Sequence, residues 1–396
     1  MQKQRIYLVQ NKTEKAESEI IKLAQAYPDE KVRYYSILAE SFMASGKEEK
    51  AAEYYQKVAE ADPNDPYIHI SLADFYKRKG DKARSFEELK EGFSNPSLDI
   101  ETKIRVLTAY YTVQDIYINQ KDDALELAGI LVKTHPAEPQ AHALYGDLLL
   151  QDKQYLAARE ELRKVIEIDS SKYSGWESLM QAEASLQDWN ALVDESSRAL
   201  ELFPMQAVPY LFKGIALSQL KQPERAVKAL NAGVKLVSGN DPLLAQFYSS
   251  LGDTYNELKE FQLSDENYEK ALKINGDNSY VLNNYAYYLS MRGAHLEKAE
   301  TMAKKGAELD PDNPANLDTY GWVLYKLGKF DEAKIWIEKA ISLSTKEDPD
   351  LLEHLGDVCF KLGDQARALQ LWQKAKDTGG NTQELLKKLK DGKLNE

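Results

Sequence analysis

An all-α fold built from about ten stacked helix-turn-helix units is predicted by three observations. Apolar residues recur at i, i+3, i+4 and i+7 along almost the whole 396-residue chain, and strand-like alternation is scarce. Small residues sit in the strongest helical stretches at Ala39, Ala73, Gly146, Gly214, Gly252, Ala286, Gly321 and Gly356, separated by 34, 73, 68, 38, 34, 35 and 35 residues. A second small residue follows each by about a dozen positions: Ala51, Ser85, Ala158, Ala226, Ser264, Ala299, Ala333 and Ala368. A period of about 34 residues with two small positions describes a helical hairpin whose helices approach closely. Such a unit cannot bury its apolar faces alone, so the core forms only by stacking.

Taken in chain order, the array opens in mid-unit. Ala16, Ile20, Leu23 and Pro28 have the pattern of a second helix, so residues 1–30 are a partial first unit. More repeats, a lipid anchor or a signal are expected upstream in the full gene, although Met1–Tyr7 itself has no apolar leader segment. Residues 31–240 form an N-terminal array. Its inner turns read Ser45-Gly46-Lys47 and Lys79-Gly80-Asp81, and an outer turn reads Asp62-Pro63-Asn64-Asp65-Pro66, where proline stops one helix and starts the next. One unit near 98–136 is irregular: an insertion falls at 94–100, and Thr112 stands at the small position inside an aromatic stretch. The unit around Trp176 carries Met180 and Leu192 where small residues belong, which predicts looser or shifted pairing. After a second insertion near 238–243, residues 241–380 form a C-terminal array with turns Asp310-Pro311-Asp312-Asn313-Pro314, Leu327-Gly328-Lys329 and Leu362-Gly363-Asp364. Residues 381–396 are read as a capping helix and tail, with Leu385, Leu386 and Leu389 inward and Lys387, Lys388, Lys390 and Lys393 outward.

The units Leu317, Tyr320, Gly321, Leu324, Ala333, Ile337, Ala340 and Tyr248, Leu251, Gly252, Tyr255, Ser264, Tyr268, Ala271 closely resemble the tetratricopeptide repeat (TPR). The resemblance covers nearly all of the chain. It implies a right-handed α-solenoid whose first helices line a concave groove, and a protein-binding scaffold in place of an enzyme. Units such as 283–333 resemble those of bacterial envelope proteins of this family, which favours the periplasm or envelope over the cytoplasm.

Composition narrows the function. Sixty-four acids against 51 bases give a net charge of −13, so phosphate polyanions are repelled and nucleic acid is excluded as an expected partner. No run approaches the ~18 apolar residues of a membrane span. Cys359 is the single cysteine and reads as core. No phosphate-cradling glycine loop, nucleophile elbow or His-Glu-x-x-His is present, and the five histidines are scattered over different units. His354 with Asp350, Glu353 and Asp357 shares a helix face but is read as a solvated acidic face. No metal, cofactor or catalytic residue is expected.

The resemblance places the residue after each first small position in the groove: Glu40, Asp74, Asp147, Gln181, Ile215, Asp253, Tyr287, Trp322 and Asp357. Five of the nine are acidic, which would favour a basic partner segment. Between about 245 and 345, Asp253, Asn256, Asn283, Asn284, Tyr287, Asp318, Trp322 and Tyr325 are expected to converge on the partner. Asparagine can both donate to and accept from an extended backbone, and Tyr and Trp dominate binding hot spots. Trp322 is expected to be partly exposed. No lysine stands at the position where some TPR proteins clamp a terminal carboxylate, so that recognition is not carried over. Two functions are therefore expected in order: a non-enzymatic scaffold holding a peptide or protein segment, or the repeat region of a larger enzyme or envelope transport or assembly complex that docks substrates for another part.

Overall fold

The computed structural model describes Tyr7 and residues 13–62, 64–111 and 120–394. Pro63, Thr112 and the leader stretch 1–6, singled out above, lie outside the described residues. Those residues form 22 α-helices and no strand. None of these helices is long and apolar enough to cross a membrane.

The chain divides into two compact units, 1–188 and 189–396. The first begins with α1 (Thr13–Ala26), whose Ala16 and Ile20 are fully buried against α2 (Lys31–Ala44). Hairpins follow: α2 with α3 (Glu48–Ala61), α4 (Ile68–Arg78) with α5 (Lys82–Ser94), α6 (Ile100–Tyr110) with α7 (Lys121–Thr134), and α8 (Pro139–Gln151) with α9 (Tyr155–Ile168). Helix α10 (Tyr173–Leu186) ends on Gln187 in the left-handed region. The second unit opens with α11 (Trp189–Leu202) and stacks five hairpins: α12 (Ala207–Gln219) with α13 (Pro223–Val234), α14 (Asp241–Glu257) with α15 (Phe261–Ile274), α16 (Ser279–Arg292) with α17 (Leu296–Leu309), α18 (Pro314–Lys326) with α19 (Phe330–Leu343), and α20 (Pro349–Lys361) with α21 (Gln365–Asp377). Helix α22 (Gln383–Asp391) closes it.

The small positions do what their spacing requires. A methyl group added at Gly214 would lie 2.5 Å from Leu230, at Gly356 2.5 Å from Trp372, and at Gly146 2.7 Å from Leu162. In each case the large partner comes from the second helix of the same hairpin. Where serine takes the second small position it also bonds across the crossing: Ser85 Oγ donates to the Ala73 carbonyl and Ser264 Oγ to the Gly252 carbonyl, both at 2.8 Å. Hairpin starts are specified by side chains at one register. Asn278, Asn313, Asp348 and Thr382 each accept a backbone N–H in the first turn of α16, α18, α20 and α22, satisfying an otherwise orphaned donor.

The irregular unit is held by a buried cation. Lys103 on α6 is fully buried, and its Nζ donates to the carbonyls of Phe93 at 2.7 Å and Asn95 at 2.8 Å, at the end of α5. His135 Nε2 lies 2.9 Å away. Burial pulls the Lys103 ammonium down to about 8. Met180 and Leu192, the bulky residues at small positions, are both fully buried. Cys359 is buried as well.

The terminal helix corrects one expectation. Leu385 is fully buried, but Leu386 is 42% exposed and Lys388 faces inward. Positions 385 and 388–389 share one face of a 3.6-residue period, and 386 stands about a hundred degrees off it. Glu353 and Asp357 on α20 then draw the Lys388 ammonium in, each at 2.7 Å.

Candidate functional site

Within the second unit, the first helices of three hairpins and the terminal helix enclose a groove of about 1280 Å³. Five of the eight expected residues line it: Asn283 and Tyr287 from α16, and Asp318, Trp322 and Tyr325 from α18. They meet because a repeat of about 35 residues returns the same face of each first helix to the same side.

The floor is an aromatic stack. The Trp322 indole lies parallel to Tyr325, with centroids 4.8 Å apart and planes 12° apart. It also stacks on His354 from α20, at 4.1 Å and 19°. The Lys326 ammonium stands 5.0 Å from the indole ring. Trp322 is only 6% exposed, so the expectation of partial exposure is corrected: Tyr325 and His354 both stack on the indole. Its Nε1–H and the Oδ1 of Asn283 are buried without a hydrogen-bond partner.

Charge surrounds this floor. His354 Nδ1 donates to both Asp318 oxygens, at 2.8 and 3.0 Å. Burial pulls the imidazole down, but the Asp318 charge and hydrogen bond, with Asp357 and Asp350 behind them, outweigh it and the net shift is upward. Asp350 is pushed up by burial and by crowding from Asp348, Glu353 and Asp318, against a smaller pull from His354. Burial raises the Tyr287 hydroxyl, and the field of Asp318, Asp350 and Glu353 adds to it. Among the described residues no three His, Cys, Asp or Glu side chains converge as metal ligands. Asp318 takes His354, while Asp357 takes Lys388 and the indole N–H of Trp372 at 2.9 Å.

Asp253, Asn256 and Asn284 do not line the groove. Asn284 Nδ2 donates to Asp253 Oδ1 at 3.2 Å, and the Tyr268 and Tyr280 hydroxyls donate to the same carboxylate. Burial raises Asp253 despite these bonds. Asn283 Nδ2 donates to Asn284 Oδ1 at 3.3 Å and so links this cluster to the groove.

The expected row of free carboxylates is largely used in packing. Asp147 accepts from Ser178, Asp253 from Asn284 and Asp357 from Lys388 on the terminal helix, each from a residue 31 positions later. Asp74 pairs with Arg78 at 2.9 Å along its own helix. Sequence reasoning missed His354 as a groove residue, and Lys388 and Trp372 as partners of its carboxylates. The signal available was the 35- or 36-residue offset from Asp318 to Glu353 and His354.

Two sequence profiles, both of the tetratricopeptide repeat, match residues 215–386 and residues 5–66 and 116–172. The chain is 30% identical over 170 residues to the TPR repeat-containing protein PA4667 of Pseudomonas aeruginosa, covering 42% of this chain and 28% of that protein. It is 26% identical over 179 residues to the type IV pilus assembly protein PilF of the same organism, covering 45% and 69%. In fold it is similar to the crystal structure of the APC/C hetero-tetramer Cut9–Hcn1, with a TM-score of 0.55 at 12% identity over 91% of this chain and 76% of that one. The chain thus spans less than a third of the first relative. With its stacked hairpins, its paired small positions and matched repeats along most of its length, the chain belongs to the tetratricopeptide repeat family.

Proposed function

We propose that the chain is a non-enzymatic scaffold that holds an extended peptide or protein segment in the groove of its second unit. The observation that carries this is the groove itself, about 1280 Å³, which Tyr287 and Tyr325 line together with Asp318, Asp350 and Glu353. Aromatic rings supply apolar area with little rotamer entropy to lose, and tyrosine is enriched at binding hot spots.

The favoured segment is basic. Its cation would be drawn less by the acidic row, most of which is bonded within the stack, than by Asp318, Asp350 and Glu353, whose field reaches Tyr287. An acidic chain of net charge −13 makes nucleic acid a poor partner.

The test is a displayed library of short peptides selected against the intact chain, with the best binder measured by calorimetry. Asn283→Ala and Tyr287→Ala are expected to weaken it about tenfold or more, as loss of a hot-spot contact does. Ile335→Ala, at a side chain 65% exposed outside the groove, should not. Equal affinity across all four proteins would remove the groove as the site. A second reading, that these repeats dock substrates for a larger assembly, is favoured by the 28% coverage of the first relative and by PilF's description as an assembly protein. The length of the native reading frame separates the two.

A further inference from the structure

We infer that the proton on His354 sets the charge of the groove, switching the Asp318 face between a neutralised and an anionic state. This rests on the docking reading only for its consequence, because the proton equilibrium belongs to the chain alone.

The geometry fixes the imidazole in place. Its Nδ1 faces both Asp318 oxygens, and its plane lies on the Trp322 indole, which is itself backed by Tyr325. Side-chain exposure is 14% for His354 and 12% for Asp318, so water screens the pair weakly. The ring has little room to turn away on losing its charge.

The surrounding groups decide which form holds. From α16 comes Tyr287; from α18, Asp318 and Lys326; from α20 itself, Asp350, Glu353 and Asp357; from α22, Glu384, Lys387 and Lys388. Lys388 is committed to Glu353 and Asp357. Lys326 lies over the indole, and burial lowers its affinity for a proton. Compensation of Asp318 therefore falls to the imidazolium. This balance raises His354 above the ordinary histidine value of about 6.5, burial notwithstanding.

The sign follows. With its folded value raised, His354 contributes stability that is fully present below about 6.5 and is lost as pH rises through the higher folded value. Above that value Asp318 remains as a buried carboxylate without a counter-charge, and the groove is one charge more negative. A lysine or arginine of an incoming segment can then supply the charge that the proton supplied. Basic segments would bind tighter at the alkaline side and release a proton where His354 is still charged.

The experiment needs no ligand. Carbon-labelled protein is titrated by NMR on the histidine ring signals, of which there are five, with His354 assigned from the spectrum of His354→Gln. The expected midpoint lies above about 6.5 in the wild type and falls in Asp318→Asn. A wild-type midpoint at or below that value, or one unmoved in Asp318→Asn, overturns the inference. Tryptophan emission gives a second measurement that does not depend on Asp318→Asn folding. An imidazolium stacked on an indole quenches it, so emission is expected to rise with pH over the same window. That step should vanish in Trp322→Phe and His354→Gln and survive in Trp336→Phe, which changes a tryptophan of α19 packed on Tyr320. A step unchanged in Trp322→Phe also overturns the inference. Failure of the peptide selection leaves both titrations untouched, so the two readings fail separately.

Discussion

At Gly321 a methyl group would stand 2.5 Å from Ile337 Cγ1 and 3.1 Å from the Ala333 carbonyl oxygen. Neither neighbour can yield cheaply, because one is the root of a branched side chain and the other is backbone. At Gly306, in the last turn of α17, the nearest atoms are 3.7 and 3.8 Å away, which is ordinary contact. The two glycines therefore have opposite reasons to exist. Gly321→Ala is expected to cost about 1–3 kcal/mol by overpacking. Gly306→Ala is expected to gain up to ~1 kcal/mol from helix propensity alone. Urea unfolding of the two variants decides it, and a destabilised Gly306→Ala would show that α17 needs that glycine for something other than space. The same scale explains why Trp322 was misjudged. Sequence places it on the groove side of α18, but nothing in a helical period says that Tyr325 and His354 will both stack on its ring.

At the scale of elements, the hairpins were legible because close crossing demands small residues at a fixed spacing, and few other arrangements need them. Two elements were not legible for the opposite reason. The buried lysine of α6 gains its place from the carbonyls of Phe93 and Asn95, which converge on it only after α5 has ended. Lys388 on α22 reads as solvated until Glu353 and Asp357 are seen beneath it. Its role gives a sharp expectation. Side-chain exposures of 11, 12 and 4% for Lys388, Glu353 and Asp357 make this a buried triad. Removing one partner of such a group costs about 3–5 kcal/mol. Burial already holds Asp357 above the usual carboxylate value, with Lys388 pulling the other way. In Lys388→Met that pull is gone and the folded carboxyl rises further. A folded carboxyl above its unfolded value of about 3.9 loses stability as pH rises through that window. The penalty of Lys388→Met is thus expected to be small near pH 4, where protons replace the ammonium, and full near neutrality. Thermal unfolding of both proteins at the two conditions measures it, and a penalty independent of pH would contradict the triad.

For the whole molecule, the chain's acidity is an uncertain guide to its partner. Three carboxylates of the acidic row are bonded to a later helix at a constant 31-residue offset, so much of what looked like a docking potential is stacking chemistry. That offset also defines how stability is distributed. Within each unit the helices pack mainly on their neighbours in sequence, and among the described residues no sheet ties distant repeats together. Stability is then a sum of local and nearest-neighbour terms, and opening is a property of a few hairpins at a time. Gly321→Ala strains the α18–α19 crossing in the second unit. Hydrogen exchange followed by mass spectrometry should show faster exchange in α16 to α21, fading with distance along the chain. The hairpins of the first unit, α2 to α9, should exchange as in the wild type. A uniform acceleration over both units would instead mean that the chain opens as one cooperative body, and the nearest-neighbour account would be wrong for this array.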